Sequence, residues 1–156
     1  MKTWMFVLLC LGSLLPLKGQ SLYRQHLKTI ERELKDWSEN YGESRLEKED
    51  SGRSYLGIFD KTGERLGTLV VTTGDGRFEK FDFMALFGPG DRVVLIRILK
   101  YRSPHGGAIA NKRWLSQFYR DPGGIYEFRK NIDAISGATL SVRGLIDEVN
   151  RVRESL

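Results

Sequence analysis

Cysteine and histidine are almost absent from this chain: Cys10, His26 and His105 are the full complement in 156 residues. Cys10 lies inside an N-terminal apolar run, so the chain beyond that run has no disulfide, no thiolate metal ligand and no cysteine nucleophile. The two histidines stand far apart in sequence, which argues against a zinc or haem site built from the chain's own side chains. No sign of charge dominates. The formal net charge of +5 falls by two if Lys2 and Lys18 are removed with the leader. Acidic and basic residues are interspersed without a polybasic run, so no nucleic-acid partner is expected.

The longest apolar run is Trp4 to Leu17, short of the roughly 20 residues that a spanning helix needs. Lys2 precedes it, Gly12 and Pro16 interrupt it, and small residues follow. This pattern predicts a secretory signal peptide over residues 1–21 and an exported protein. Cleavage after Ser21 places Gly19 at the upstream small-residue position. Cleavage after Gly19 places Leu17 there and fits less well. Retention as an uncleaved anchor is the alternative. What remains is long enough for one domain with a sizeable core.

Beyond the leader, Tyr23, Leu27, Ile30, Leu34, Trp37 and Tyr41 recur at helical spacing and predict one amphipathic helix over 22–41. Its stripe is shorter than three heptads, which favours packing on its own domain over a coiled-coil seam. Residues 43–53 are polar, contain Gly52 and read as a loop. Strands are expected at 55–59, 66–73, 78–87 and 93–101, with glycine-containing turns between them. The last of these is nearly continuously apolar and reads as a central strand covered on both faces. Asn111 is placed to cap a short helix bearing Trp114, Leu115 and Phe118. A final strand is expected at 126–132, then an amphipathic helix from Thr139 to Arg153. The fold class is α+β: a single domain with a mainly antiparallel sheet and packed helices, including a C-terminal helix.

The segment Asp133-Ala134-Ile135-Ser136-Gly137-Ala138-Thr139 occupies the entry to that last helix. Ser136 reads as its N-cap, which puts Thr139 in the first turn, where free N–H groups and the helix dipole favour an anion. Gly137 and Ala138 let another molecule approach the backbone. Asp133 can fix the turn or engage a modifying enzyme. A threonine hydroxyl is a poor nucleophile without a base, and Asp133 is the one ionisable group here. Any ester on Thr139 would therefore need a separate enzyme. Helix capping by itself also accounts for Asp, Ser and Thr at such a place.

This string resembles, at every defined position, the flavinylation motif Asp-x-x-Ser/Thr-Gly-Ala-Thr of the FMN-binding domain family, whose members include flavin-carrying subunits of membrane respiratory complexes. The stretches Gly67 to Gly76, Tyr101 to Gly107 and Lys112 to Phe118 are similar to segments of small exported members. The resemblance implies residues 22–53 as an N-terminal helix and loop and 54–156 as the FMN-binding domain. It implies covalent FMN, joined by a phosphoester to Thr139, with Asp133, Ser136, Gly137 and Ala138 as recognition context. It implies an FAD:protein FMN transferase as maturation partner, and membrane or periplasmic redox proteins as electron partners. The location implied is the periplasm or the outer face of the cytoplasmic membrane. The chain is shorter than the large-complex subunits, which carry an N-terminal membrane helix, so it is not assigned to those pumps.

His105, Gly106 and Gly107 form a glycine-rich loop that can approach a planar ligand, although a surface histidine is an equal reading of His105. Tyr101, Trp114 and Phe118 read as core rather than as flavin-stacking groups. Arg102 near an anionic cofactor is unspecific. Three functions are distinguished. An exported electron-transfer flavoprotein keeps its flavin after denaturation. A non-redox module binding flavin or a partner loses it. A small exported flavin reductase turns over with a soluble donor and no partner.

Overall fold

The structure is a computed structural model that describes residues 21–156. The expected signal peptide falls almost wholly outside the described residues. Two short helices open the chain, α1 (Leu22–Gln25) and α2 (Leu27–Trp37). Five strands follow: β1 (Tyr41–Asp50), β2 (Arg53–Asp60), β3 (Arg65–Asp75), β4 (Lys80–Phe87) and β5 (Val93–Lys100). They pair antiparallel in the order of the chain, a simple meander. The helix α3 (Lys112–Leu115) lies between two short 3-10 turns, Gly107–Ala110 and Ser116–Tyr119. The helix α4 (Thr139–Ser155) ends the chain.

Both faces of the sheet are covered, and the period of two along each strand sorts its side chains between two cores. On β4, Phe81, Phe83, Ala85 and Phe87 join Val142, Leu145, Val149 and Val152 of α4. Met84 and Leu86 point the other way and meet Ile30 and Leu34 of α2 with Leu56 and Ile58 of β2. The α+β architecture is therefore a sheet between two helical layers.

Several elements differ from the sequence reading. The predicted helix over 22–41 breaks at His26 (φ −111°, ψ 9°), whose ring faces Asp82. It ends at Trp37, so Tyr41 opens β1 instead of closing the helical stripe. The expected loop over 43–53 is largely β1. That strand is an edge with most side chains in solvent, so no apolar alternation marks it in the sequence. Its run of charges protects an open edge from pairing with other chains. Gly42 is required at its bulge, because a Cβ there would lie 2.4 Å from the Asp60 carbonyl oxygen.

The strand expected to be central, β5, is the opposite edge. It is apolar on both sides because both cores reach it, and the 3-10 turn Ser116–Tyr119 packs against it. The strand expected at 126–132 forms a single bridge, Phe128 to Ile132, with Arg129 at φ 63°. Asn150 of α4 takes its hydrogen bonds instead: the Tyr126 N–H donates to Asn150 Oδ1 at 2.9 Å, and Asn150 Nδ2 donates to the Tyr126 carbonyl at 2.8 Å.

Buried charges tie the layers together, and each has partners, as the cost of burying a bare charge demands. Arg53 makes a two-point ion pair with Glu148 of α4 at 2.7 and 3.0 Å, and the Thr72 hydroxyl donates to the same carboxylate at 2.8 Å. Glu33 of α2 receives Arg97 at 2.8 Å and Lys112 at 3.2 Å. Asp82 receives both arms of Arg102 and lies 2.8 Å from His26 Nε2.

Candidate functional site at the start of the last helix

Thr139 falls in the first turn of α4, as expected, but the cap is not Ser136. Ala138 takes the N-cap position (φ −126°, ψ 17°) and has no side chain able to cap. Ser136 and Gly137 instead form a turn closed by the Ala138 N–H on the Ile135 carbonyl at 3.1 Å, with Gly137 at φ 77°. A residue with a Cβ rarely adopts that conformation, which gives the glycine its reason. The first helical bond runs from the Val142 N–H to the Ala138 carbonyl at 2.9 Å. The N–H groups of Thr139, Leu140 and Ser141 come before it and lack helical acceptors. They open toward the N-terminal end of the helix, where the helix dipole adds partial positive charge.

Thr139 opens onto a concavity of about 280 Å³, lined also by Arg77, His105, Gly137, Ala138, Leu140 and Ser141. Three segments build it. The Gly76–Glu79 turn between β3 and β4 brings Arg77, whose guanidinium lies 5.1 Å from the centre of the Phe78 ring. The loop after β5 brings His105. The motif itself brings the rest.

Tyr101 locks two of these segments together. Its hydroxyl donates to the His105 carbonyl at 2.8 Å and lies 2.8 Å from Ser141 Oγ. Since the phenol proton is committed to the carbonyl, Ser141 is the donor in the second bond. Gly106 fits below this hydroxyl at φ 89°; a Cβ there would lie 2.5 Å from it and 3.4 Å from the Ala138 Cβ. The close approach expected of Gly106 is thus made to Tyr101 and Ala138 within the chain. Gly107 starts the following 3-10 turn, in ordinary contact range of the Tyr101 ring.

Two hydroxyls therefore stand in the first turn of α4 in different states. Ser141 is buried, 2% exposed, and bonded to Tyr101. Thr139 is exposed and faces the concavity. The geometry makes Thr139 the reachable one.

Asp133 is not brought to this concavity. Its backbone is fixed, with the N–H on Gln117 Oε1 at 2.9 Å and the carbonyl accepting from Trp114 Nε1 at 3.1 Å. Its side chain borders a separate hollow with Gln117, Arg120 and Lys130. Trp114 and Phe118 pack edge to face at 5.9 Å, as core residues, and Trp114 also anchors the motif's start. Arg102 is engaged with Asp82 and stands away from the site. Among the described residues, no group of three or more His, Cys, Asp or Glu side chains converges to hold a metal.

The sequence reading missed three contributors: Gly144, Arg77 and the Tyr101 hydroxyl. Gly144 matters most. A Cβ there would lie 2.0 Å from the Asp75 carbonyl oxygen, so its absence lets α4 dock on the end of β3. The available signal was an isolated glycine inside a helical pattern, which marks close packing. Gly76 lets the hairpin turn close, with its N–H on the Glu79 carbonyl at 3.1 Å. The Lys80 ammonium beside Asp75 holds that carboxyl below its usual range.

The site is an exposed hydroxyl at an uncapped helix start, beside an arginine and a glycine turn, on an antiparallel meander closed by a C-terminal helix. The family model described as FMN-binding domain matches residues 67–154, over half of the chain. The chain belongs to the FMN-binding domain family and is a flavoprotein that binds FMN. No curated protein matches it. The residues present fit the cofactor: the free N–H groups and Arg77 suit a phosphate, and Gly137 has no atom within 4 Å of where its Cβ would be.

Proposed function

We propose that this protein is an exported electron carrier whose FMN is attached through a phosphoester to Thr139. The observation that carries this reading is the contrast between the exposed Thr139 hydroxyl and the buried, hydrogen-bonded Ser141 in the same turn. Asp133, the one ionisable side chain of the motif, lies on a separate hollow, so the motif itself sets no base beside the Thr139 hydroxyl and a transferase supplies the activation. In the attachment, the Thr139 Oγ–P bond forms and the pyrophosphate bond of FAD breaks. AMP leaves, and the threonine proton passes to the transferase.

When bound, FMN supplies one- and two-electron chemistry, and the chain supplies position and electrostatics. Arg77 and the N–H groups of Thr139, Leu140 and Ser141 would hold the phosphate end. His105 would border the ribityl chain or ring. The 280 Å³ concavity is small beside pockets that bury most of a ligand of this size. Much of the ring system would therefore lie at the surface, which suits a carrier that passes electrons to membrane or periplasmic redox proteins. The apolar run Trp4–Leu17 is the basis for placing it outside the cytoplasm.

The test is intact-mass spectrometry on protein co-produced with an FAD:protein FMN transferase. The expected result is one FMN adduct that survives denaturation and is lost in Thr139→Ala. An unshifted mass, or an adduct retained by Thr139→Ala, overturns the assignment.

A further inference from the structure

The end of the sheet that carries Thr139 also carries two of the six large apolar side chains that are exposed among the described residues. Phe78, at the tip of the β3–β4 turn, is 67% exposed, and Leu140, beside Thr139, is 53% exposed. Arg77, adjacent to Phe78, and Leu140 line the same concavity, so the two apolar side chains flank one opening. Four other large apolar side chains are exposed elsewhere, Ile125 at 53% among them; what sets Phe78 and Leu140 apart is that a turn and a helix start hold both beside one opening.

The charge at this end is basic. Arg77, Lys100 and Arg143 form no ion pair among the described residues; Arg77 and Arg143 lie over the Phe78 and Phe128 rings. Lys80 and Arg102 are there as well, paired with Asp75 and Asp82. Glu79 is the further carboxylate of the turn.

The chain also enters the described structure at this end. His26 contacts Asp82, which pairs with Thr73 and Lys100, two residues from the last β3–β4 pair, Asp75 with Lys80. The far end of the molecule holds the Tyr41–Asp60 pair and the Asp60–Glu64 turn. The eleven-residue β3 separates the two ends by roughly 30 Å.

We propose that this end is a membrane-surface face: Phe78 and Leu140 enter the interface of an anionic lipid bilayer, with Arg77, Lys100 and Arg143 at the headgroups. Aromatic and leucine side chains with flanking cations are the composition of interfacial anchors, and each cation near an anionic surface adds to the attraction. The proposal does not require Thr139 to carry a flavin. Combined with the reading above, it places the cofactor site at the lipid boundary, where membrane electron carriers are reached.

The test uses the full chain with Cys10→Ser, labelled with a polarity-sensitive fluorophore at Phe78→Cys or, as the distal control, at Thr62→Cys. Each is mixed with vesicles of phosphatidylcholine and phosphatidylglycerol containing a lipid-borne quencher. The expected result is quenching at position 78 and none at position 62. A second arm measures cosedimentation of unlabelled Phe78→Ser/Leu140→Ser, which is expected to bind roughly tenfold more weakly or worse. Phosphatidylcholine vesicles are expected to bind the parent chain less than the mixed vesicles. Equal quenching at both positions, quenching at neither, or unchanged binding of the double variant overturns the proposal and leaves the patch for a protein partner. Both positions are exposed, so folding is retained and is checked by urea unfolding. The Thr139 adduct is read separately by mass, so failure here is distinguishable from failure there.

Discussion

Residues 67–154 and residues 21–66 build one sheet but do different work. The first region, from β3 through α4, holds every residue around Thr139. The second lies outside the family match, yet it contributes two of the five strands and the whole helical layer on the far face. Its Ile30, Leu34, Leu56 and Ile58 are fully buried. A site built on β3, β4 and α4 therefore depends on a supporting layer that supplies none of its lining side chains. The lesson is that the matched region marks the chemistry, whereas stability is shared across the sheet.

This comparison can be broken most severely at Leu34. Leu34→Ala empties a fully buried position in the supporting layer and is expected to cost about 3 kcal/mol in urea unfolding. The folded fraction should still accept FMN at Thr139, by intact mass. Loss of the adduct from protein that remains folded would show that the two regions are not separable in this way.

Gly144→Ala probes the other side. The added Cβ meets the Asp75 carbonyl, and the expected cost is about 2 kcal/mol, despite alanine's better helix propensity. Here attachment at Thr139 should slow even in folded protein, because the start of α4 must move off the end of β3.

Acid separates the regions by another route. Burial pulls the Glu33 carboxyl up, but the Arg97 and Lys112 hydrogen bonds outweigh it and hold it below its ordinary 4.5. Burial likewise raises Asp82, while Arg102 and His26 bring it below its ordinary 3.8. Both carboxylates join the α1–α2 layer to β4 and β5 or to α3. With folded values depressed, the unfolded chain binds more protons in this range. Their contribution is present above the ordinary values and lost as pH falls through the folded ones. Unfolding free energy should therefore decline below about pH 4.5. Amides of α2 should lose hydrogen-exchange protection before those of α4. A chain with Glu33→Gln and Asp82→Asn should start less stable and show a flatter acid limb.

The smallest effect is expected at Tyr101. Tyr101→Phe keeps the ring and removes two hydrogen bonds, at a cost of about 1 kcal/mol. Ser141 then loses its acceptor and the His105 loop its tie. The measurable outcome is slower FMN attachment with little change in unfolding. Unchanged attachment kinetics would make the Tyr101 bridge structural only.

The sequence was most legible where local chemistry and burial agree. The four strands from β2 to β5 and the helix from Thr139 follow from apolar periodicity, and Asn111 caps α3 through the Arg113 and Trp114 N–H groups at 2.9 and 3.1 Å. Edge strand β1 was not legible, because a strand exposed on most of its length needs no apolar alternation. The segment around Tyr126 read as a strand because its residues suit one, but its hydrogen bonds went to Asn150, 24 positions away.

By itself the sequence determined the α+β class and the motif ending at Thr139, since residue type and spacing fix local turns and amphipathic faces. It could not decide which motif residues meet. Tertiary packing placed Asp133 on a separate hollow, drew Gly106 under Tyr101 and committed Ser141 to a hydrogen bond. Those outcomes depend on contacts between separate elements, from Asp133 with Gln117, 16 positions apart, to Tyr101 with Ser141, 40 apart, which no local pattern encodes.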